Sequence, residues 1–518
     1  MHVFTVFSWS FCMAIAGVKV WLMLPLLWKW NFPLWAIPGP KLAAWTRLWW
    51  IKQLYSGKSA ETLALLARRH GPLVRIAPNT VLISDPDTIR LVLAPNSGYL
   101  RGPWFDSLRL CPHKTNVVSE RDAKKHQHLR LLLAAGTSGK DVPSMEHIIH
   151  IHVGNWLQML NVKSQTLYHG DLTIDLSRDL PFLSMDIITH LCLGESFGDV
   201  QFDTDRYSLL EELSSGMVAQ QYIASLLEVK RCLFWLGGLP IFRTKLFPSA
   251  KQPTGLGQVM RIIQQKVEQK LAKKEQQTSM TDMLDSFLAR GLDPEQAGTE
   301  LLVVLFSAVG ATSYTMQGII RGIISNPAVY QTLQHEIDVI IEEQGTPLSD
   351  CTPEIILKNM PYLQACISEG LRLYPAITQL RERVVPSPGD NLHGHYIPGG
   401  TYVALNGLCS QSDSIYGSEP EKFRPERWLL DDKKLLALMR RNLDLNFGYG
   451  SSKCLGINLA HLELSKVVFE LLRRYNVGLA NARRPWVSRG DFVLRDFKVR
   501  LSRRPPQVKH EIAGDAEA

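Results

Sequence analysis

The stretch FGYGSSKCLG, Phe447–Gly456, decides how the rest of the sequence is interpreted. Gly448 and Gly450 permit a tight backbone path that carries the chain close to something flat or bulky. After Cys454, apolar residues recur at helical spacing, so the cysteine stands at a predicted helix N-terminus, whose partial positive charge favours thiolate over thiol. A thiolate on a glycine-lined turn is a metal ligand or a nucleophile, and the glycine spacing argues against an inert buried cysteine. No histidine stands close enough in sequence to indicate a base for nucleophilic catalysis.

A second segment, DPEQAGTELLVVLFSAVGATSYTMQGIIRGIISNP, predicts one long helix over Pro294–Ser325. Asp293 and Gln296 form a capping pattern at its start, and an Asn-Pro pair ends it. Its apolar middle is too short to span a membrane, so the helix is expected to cross the centre of a large domain. Gly310 and Thr312 in that middle fit two interpretations equally, a local bend that faces a ligand or a helix-packing contact.

Two further motifs carry charged residues among apolar neighbours. In EGLRLYP, Glu369 and Arg372 lie three residues apart and therefore on one helical face. The apolar neighbours indicate that this pair is partly buried, and a buried ion pair needs a further partner for its remaining donors. FRPERW, Phe423–Trp428, supplies Arg427 as the candidate partner. The other interpretation is a solvated surface pair that contributes little to stability.

Length and composition indicate a large folded domain. The chain has 518 residues, 45% hydrophobic and 20% charged, with no low-complexity linker or internal repeat. Its eight cysteines show no C-x-x-C spacing, so neither a zinc knot nor a disulfide framework is indicated, and a reducing compartment fits best. The net charge of +8 favours anionic membranes or acidic protein partners, but no block of like charge is long enough for nucleic acid. Most segments are helical in period, while GPLVRIAPNTVLISDP, Gly71–Pro86, predicts a hairpin or two strands.

The N-terminus predicts a membrane anchor over residues 1–30. The segment Val3–Val18 carries no charge, the apolar run resumes after Lys19, and together they are long enough to cross a bilayer. A cleaved signal peptide is the alternative, although the segment lacks a basic start and a small-residue cleavage site. Lysine and arginine follow the segment, so the body of the protein is expected on the cytoplasmic side. The rest is divided into a proline-rich hinge over 31–45, one large domain over 46–505 and a flexible tail over 506–518.

FGYGSSKCLG, EGLRLYP, FRPERW and the long helix bearing AVGATS together resemble the cytochrome P450 family of haem-thiolate monooxygenases. The resemblance covers the chain from about Ile37 onward and is closest to membrane-bound fungal enzymes of secondary metabolism, similar to the pisatin demethylase group. It implies a mainly α fold with a small β-rich region in residues 46–505, preceded by an N-terminal transmembrane helix. It also implies haem b, iron protoporphyrin IX, held between the long helix and the cysteine loop.

The resemblance assigns roles to individual residues. Cys454 matches the axial ligand of the haem iron, whose thiolate favours O–O cleavage. Thr312 matches a catalytic alcohol that helps deliver protons during dioxygen activation. The family's structural triad, which serves folding and haem retention, is matched by Glu369, Arg372 and Arg427. Other cofactor-binding residues that the resemblance implies are Phe447 and Gly448 in the cysteine loop, and His126, Arg130 and Arg383 as contacts of the haem propionates.

Two positions depart from the family pattern. Ala311 stands where the family often has an acid before the threonine, so the acid–alcohol relay for protons is incomplete. A chain of water molecules or a hydroxyl group of the substrate would then replace the acid in delivering protons. Ser452 stands two residues before the cysteine, where Arg or His commonly binds a propionate, and neighbouring Lys453 is a possible substitute.

The leading hypothesis is a monooxygenase that oxidises a lipophilic small molecule with dioxygen and with electrons from an NADPH-cytochrome reductase. The resemblance implies a single-pass protein of the endoplasmic reticulum membrane with a cytoplasmic catalytic domain. Its substrate pocket is expected to include Tyr99–Leu108, Phe306 and Val309. Basic residues that could meet an acidic partner near the cysteine face are Lys124, Lys125, Arg130, Arg473 and Arg474.

Two alternatives stay open. Ala311 motivates a haem-thiolate isomerase, dehydratase or peroxide-using enzyme that does not activate dioxygen. A membrane-anchored haem-binding protein without turnover is the third hypothesis. Label in products made under isotopically labelled dioxygen would distinguish the monooxygenase from an enzyme that does not activate dioxygen. Substrate-dependent NADPH consumption would distinguish the monooxygenase from a haem-binding protein without turnover.

Overall fold

The computed structural model of the chain describes residues 34–110, 113–165, 172–239, 247–272, 280–344, 359–411, 414–484, 486–488 and 494–505. The predicted anchor over 1–30, the first residues of the predicted hinge and the predicted tail over 506–518 lie outside the described residues. Among the described residues, one helix, Pro294–Ile324, is long and apolar enough to cross a membrane, and most of it is buried inside the protein.

The protein is mainly helical, as predicted. In chain order, the helices are α1 Leu48–Ser56, α2 Ser59–His70, α3 Pro86–Leu93, α4 Ala123–Thr137, α5 Met145–Gln165, α6 Leu176–Leu193, α7 Asp199–Phe202, α8 Leu209–Ser225, α9 Leu227–Gly238, α10 Gly255–Ala272, α11 Met283–Ala289, α12 Pro294–Ile324, α13 Pro327–Gln344, α14 Pro361–Leu373, α15 Gly407–Ser410, α16 Lys433–Leu443 and α17 Ile457–Arg474.

The strands are short and form small sheets. They are β1 Leu73–Ala77, β2 Thr80–Ile83, β3 Leu100–Arg101, β4 Leu172–Asp175, β5 Arg383–Val384, β6 Gly389–Leu392, β7 His395–Pro398, β8 Tyr402–Leu405, β9 Tyr475–Leu479, β10 Val487–Ser488, β11 Leu494–Arg495 and β12 Lys498–Arg503. The largest sheet has the order β1-β2-β8-β5-β3, a second has the order β4-β12-β9, and β6-β7 and β10-β11 are two-stranded.

The largest sheet contains the predicted hairpin and one pairing that matters for the site. β1 and β2 are antiparallel, with Leu73 opposite Ile83, so the prediction of two strands in Gly71–Pro86 is confirmed. β2 runs parallel to β8, and β5 joins β8 and β3 by antiparallel pairing. The β3–β5 register places Arg101 opposite Arg383. Two arginines that lie far apart in sequence are thereby brought side by side.

Helix α12 crosses the centre of the protein and packs against α6, α14 and α17. Its N-terminus is capped as predicted, because the Gln296 backbone N–H donates to the Asp293 carboxylate at 3.0 Å. The Gln296 side chain does not return to the cap but donates to Glu300. The helix ends at Ile324, one residue before the predicted end. Its interior residues belong to the largest hydrophobic cluster, which explains how so long an apolar helix is stabilised outside a membrane.

The described part of the predicted hinge packs against the domain. Leu34 and Ile37 are 1% and 5% exposed and belong to a hydrophobic cluster with residues of β1, β2 and β8. The Arg75 backbone N–H donates to the Pro38 carbonyl at 2.8 Å. A side chain at Gly39 would overlap the Arg75 carbonyl oxygen, so glycine is needed for this close approach.

Candidate cofactor site

The cysteine turn is built by backbone geometry that requires glycine. Gly448 has φ 79° and Gly450 has φ 57°, values that other residues rarely adopt. A Cβ on Gly448 would lie 2.3 Å from the Ser452 carbonyl oxygen, so the glycine permits the turn to fold back on itself. The Cys454 backbone N–H closes the turn by donating to the Phe447 carbonyl at 2.6 Å. The predicted tight path is therefore present, and α17 begins three residues after the cysteine.

The Cys454 side chain is accessible, although protein surrounds it on most sides. That combination is expected of a group that faces an internal space. Desolvation raises the pKa of the Cys454 thiol, while the Gly456 N–H and the charge of Arg130 oppose the rise. The Gly456 N–H at the start of the helix thus lowers the pKa of the thiol, as the sequence argument expects, but desolvation is the larger effect in the polypeptide by itself. A metal cation at the sulfur would reverse the balance, since a coordinating thiol is deprotonated.

Four nitrogen-bearing side chains converge near the cysteine, and they are referred to as the cation cluster: Arg101, His126, Arg130 and Arg383. Desolvation and the charges of the three arginines lower the pKa of His126 to about 3. Desolvation and Arg130 lower the pKa of Arg101 to about 10, and desolvation, then Arg101, lower that of Arg383. The like charges are therefore close enough to repel one another.

The cation cluster has unused hydrogen-bonding capacity. The Nε2 atom of His126, a residue only 4% exposed, has no hydrogen-bond partner among the described residues. Arg101 and Arg383 both lie over the ring of Phe105, with guanidinium carbons 4.8 and 4.9 Å from its centroid. A buried imidazole nitrogen without a partner, beside three guanidinium groups, fits a ligand with carboxylate groups. Such a ligand would lie close to Cys454, because the charge of Arg130 already acts on the thiol.

Arg101 was not predicted from sequence to contact the cofactor, although it lies inside Tyr99–Leu108, the segment expected to line the substrate pocket. Its Nη1 donates to the carbonyls of Val117, Val118 and Glu120 at 2.7 to 3.1 Å, so it also fixes the chain before α4. Only the β3–β5 register shows that it joins Arg383. Local sequence carries no signal for that pairing.

Ser452 holds Arg383 in place. The Arg383 Nη2 donates to the Ser452 Oγ at 2.8 Å. The serine that departs from the family pattern therefore positions a cation supplied from β5. Lys453 is exposed, whereas Arg383 and His126 are buried. The cation cluster, rather than Lys453, provides the positive charge beside the turn.

Glu369, Arg372 and Arg427 meet in a fully buried ion cluster behind the cysteine turn. Arg372 donates to both carboxylate oxygens of Glu369 at 2.8 Å, and the Arg427 Nε donates to Oε1 at 2.9 Å. The Trp428 indole N–H donates to Oε2 at 3.0 Å. Backbone carbonyls, including that of Gln411, accept the remaining guanidinium N–H groups. The surface-pair interpretation is excluded.

Thr312 lies on α12 with its side chain 7% exposed. The neighbouring hydroxyls of Ser313 and Thr315 donate to the carbonyls of Val309 and Ala311, four residues earlier, at 2.6 and 2.9 Å. Among the described residues, no such partner is found for the Thr312 hydroxyl. This hydroxyl is thus available to a ligand, which favours the ligand-facing interpretation over simple helix packing.

One face of the middle of α12 is open. Ser307 is exposed and Ala311 is partly exposed, although the helix crosses the centre of the protein. These residues lie four positions apart and share a face. Of the predicted pocket residues, Phe306 is partly buried and Val309 is buried. Ser307 was not singled out from sequence, although a serine inside the apolar run VVLFSAVG was a usable signal.

The predicted basic surface is only partly free. Lys124 and Lys125 are exposed at the start of α4. Arg473 and Arg474 instead form ion pairs with Glu470, at 2.5 and 3.5 Å. Arg130 belongs to the cation cluster. The two lysines are therefore the remaining basic groups suited to meet an acidic partner.

Comparison with known proteins gives a consistent result. The cytochrome P450 family model matches residues 38–502. The cytochrome P450 monooxygenase aba1 of Botryotinia fuckeliana is 31% identical over 476 residues, 91% of this chain and 92% of that protein. The cytochrome P450 monooxygenase abl1 of Leptosphaeria maculans is 32% identical over 438 residues, 84% and 76% of the two chains. The cytochrome P450 monooxygenase ABA1 of Pyricularia oryzae is 30% identical over 465 residues, 87% and 88% of the two chains.

Proposed function

Because the chain belongs to the cytochrome P450 family of haem monooxygenases, we propose that it oxidises a lipophilic small molecule of fungal secondary metabolism. Dioxygen is the oxidant, and electrons come from NADPH through a separate reductase. The observation that carries the proposal is the closed turn that presents Cys454 beside the cation cluster. The fungal sources of the relatives support the metabolic context.

The proposed haem contacts come from four elements. Cys454 binds the iron, and the guanidinium groups of Arg130, Arg383 and Arg101, with the His126 Nε2, bind the two propionates. Haem supplies the activation of dioxygen, and a cysteine ligand favours O–O cleavage. Gly448 keeps the backbone of the turn close to Ser452, which fixes the direction of the sulfur. The polypeptide thus binds and orients the cofactor.

Glu369, Arg372 and Arg427 have a structural role in this proposal. Their ion cluster ties the end of α14 to the segment around Trp428, next to the cysteine turn. The Asn446 side chain, just before that turn, donates to the Leu371 carbonyl of α14 at 2.8 Å. The cluster therefore stabilises the base on which the turn rests.

Thr312 is proposed to hold and pass a proton at its hydroxyl, which has no helix carbonyl as a competing acceptor among the described residues. Ala311 cannot supply the acid that usually accompanies such an alcohol. Ser307 presents a hydroxyl on the face that Ala311 occupies, one turn earlier. We propose that Ser307 and bound water complete the proton route.

The membrane attachment proposed for residues 1–30 is supported by exposed aromatic side chains in the described part of the chain. Trp35, Trp45 and Tyr55 are 73%, 52% and 85% exposed, and Trp235 on α9 is 69% exposed. Helix α1, which carries Tyr55, contacts α8, with the Trp50 indole N–H donating to Ser225 at 3.0 Å, and α8 contacts α9, which carries Trp235. These two exposed aromatic residues therefore lie on connected elements. Aromatic side chains favour the interface between lipid and water. We propose that the domain lies on the cytoplasmic side of the endoplasmic reticulum membrane, because lysine and arginine follow the segment. Lys124 and Lys125 are proposed to meet the reductase.

Ala311 also favours a second candidate function, an isomerase, dehydratase or peroxide-using enzyme that holds haem but does not activate dioxygen. In that case the open face of α12 would bind the substrate and no proton route to dioxygen would be needed.

One experiment decides between these functions. Membranes containing the protein, reductase and NADPH are incubated under isotopically labelled dioxygen with terpenoid, polyketide and alkaloid intermediates. Incorporation of label into a product, absent with Cys454→Ala, is expected for a monooxygenase. A product that forms without label, whether or not NADPH is present, would contradict the proposal and support the second candidate.

A further inference from the structure

Glu300 is a fully buried carboxyl group on the first half of α12, away from the face that carries Ser307 and Ala311. Both of its side-chain oxygens accept from the Val117 backbone N–H, each at 3.0 Å. The Gln296 side chain, one turn earlier on the helix, donates to Glu300 at 2.6 Å and to the Thr115 carbonyl at 3.0 Å. Helix α12 therefore holds the backbone of the irregular chain before α4 at two points.

That irregular chain, segment 115–120, closes on itself through hydrogen bonds. The Asn116 Oδ1 accepts from the N–H groups of Val118 and Ser119 at 3.0 and 2.8 Å. The Glu120 N–H donates to the Asn116 carbonyl at 2.8 Å. Asn116 and Ser119 are both 0% exposed. A segment whose buried polar groups are paired internally moves as one unit, so a displacement at one residue also moves the carbonyls of the others.

Segment 115–120 also holds Arg101 of the cation cluster. The Arg101 Nη1 donates to three carbonyls of the segment at 2.7 to 3.1 Å. One of these carbonyls belongs to Val117, the residue whose N–H donates to Glu300. The next residue, Arg121, donates from its Nε to the Arg101 carbonyl at 3.0 Å. A continuous series of hydrogen bonds thus connects Glu300 on α12 with a guanidinium group of the cofactor site.

We infer that Glu300 is a positioning residue for the cofactor, because it fixes segment 115–120 and thereby directs the Arg101 guanidinium toward a haem propionate. The inference rests on the proposed function, in which Arg101 binds a propionate. Arg101 lies next to the like charge of Arg130, so the carbonyls that accept from it are needed to hold its direction. The competing interpretation is that Glu300 only stabilises the fold.

The rate of haem loss, measured by transfer to apomyoglobin, tests this inference. Glu300→Leu leaves the buried Val117 N–H without its acceptor and should make haem leave about fivefold faster than from wild type. Glu300→Gln keeps an oxygen acceptor for that N–H and should lose haem at the wild-type rate. Hydrogen exchange of the peptide that contains Val117 should be faster in Glu300→Leu but not in Glu300→Gln.

Glu336→Leu is the matched control. Glu336 also accepts from two backbone N–H groups, those of Tyr362 and Leu363, at 2.7 and 2.8 Å. These groups lie at the start of α14 rather than in segment 115–120. The control loses the same kind of hydrogen bond and should retain haem like wild type.

A double-mutant cycle with Arg101 separates positioning from general stability. Arg101→Met alone should speed haem loss by about tenfold. Adding Glu300→Leu should then change the rate little, because the guanidinium through which Glu300 acts is gone, whereas independent effects would multiply to about fiftyfold. If Glu300→Leu fails to fold, Gln296→Leu replaces it in the cycle, since it removes the bond to the Thr115 carbonyl and should speed haem loss by about twofold.

The inference is overturned if Glu300→Leu leaves haem loss unchanged, if it speeds haem loss equally with and without Arg101, or if Glu300→Gln behaves like Glu300→Leu. The carbon monoxide spectrum of the same samples reports the haem-thiolate site. Wild type that holds haem without the thiolate band would contradict the proposed function itself. A normal band in every variant, together with multiplicative rates in the cycle, would contradict this inference alone.

Discussion

Two buried groups of charged residues flank the cysteine turn, and they differ in completeness. Around Glu369, one carboxylate accepts from two guanidinium groups and an indole, and carbonyls accept the remaining guanidinium donors. In the cation cluster, charges of one sign face each other and the His126 Nε2 has no partner among the described residues. A complete buried network stabilises the fold without help, whereas an incomplete one indicates a ligand. The comparison therefore separates structural from cofactor-binding residues.

The largest expected effect is that of Glu369→Ala. Removing the carboxylate leaves Arg372 and Arg427 buried without their counter-ion, which should lower the free energy of unfolding by about 3–5 kcal/mol. Denaturant unfolding measures the change. The control is Glu419→Ala, which removes an exposed ion pair with Lys422 and should leave stability close to that of wild type. If Glu369→Ala and Glu419→Ala were equally stable, the ion cluster around Glu369 would not have the structural role that distinguishes it from the cation cluster.

Arg130→Met tests the incomplete cluster. The lost charge-assisted bond to a propionate should make haem leave at least about tenfold faster, as measured by transfer to apomyoglobin. The haem-free variant should be no less stable than haem-free wild type, because one repelling charge is removed from the cluster. Lys125→Met, at an exposed position of the same helix, should leave haem loss unchanged. Loss of stability without faster haem loss would place Arg130 among the structural residues.

Thr312→Ala tests whether an unpartnered hydroxyl marks chemistry. We expect the ratio of product to NADPH consumed to fall by roughly tenfold, with peroxide released instead. Ser313→Ala is the matched control, because its hydroxyl bonds to the Val309 carbonyl. Coupling that survives Thr312→Ala but fails in Ser307→Ala would assign the proton route to Ser307 alone.

Glu300 offers a pH-dependent contrast with Glu369. Its carboxylate accepts from the Val117 N–H and from Gln296, with Lys114 as the nearby charge, and burial raises its pKa to about 7 from 4.5. The folded state therefore retains a proton that the unfolded state loses. As the pH rises from 4.5 to about 7, wild type should therefore lose up to about 1.4 kcal/mol of unfolding free energy per pH unit, relative to Glu300→Gln.

Unfolding of both proteins at about pH 5 and about pH 8 measures this difference, which should shift in favour of Glu300→Gln at the higher pH. Glu295→Gln, at an exposed carboxylate, should track wild type at both values. A pH-independent difference between wild type and Glu300→Gln would mean that Glu300 is ionised throughout.

Features set by local sequence were predictable, and features set by tertiary register were not. The glycines of the cysteine turn, the cap at Asp293 and the spacing of Glu369 and Arg372 depend on neighbours in the chain, and the structure agrees with those predictions. The family resemblance added His126, Arg130 and Arg383, which the structure brings together with Arg101.

Arg101 itself was not predictable, because only the pairing of β3 with β5 brings it to Arg383. The sequence shows the helix terminus at Cys454 but not the degree of desolvation, which raises the pKa of the thiol in the folded polypeptide.

The central claim is that the sulfur of Cys454 binds a haem iron, and the absorption spectrum of the reduced carbon monoxide complex tests it most directly. Wild-type protein should show the red-shifted band that reports thiolate ligation, and Cys454→Ala should lack it. Cys409→Ala, which removes a buried thiol elsewhere, should retain the band. A red-shifted band that survives in Cys454→Ala, or one that is absent from haem-loaded wild type, would contradict the account.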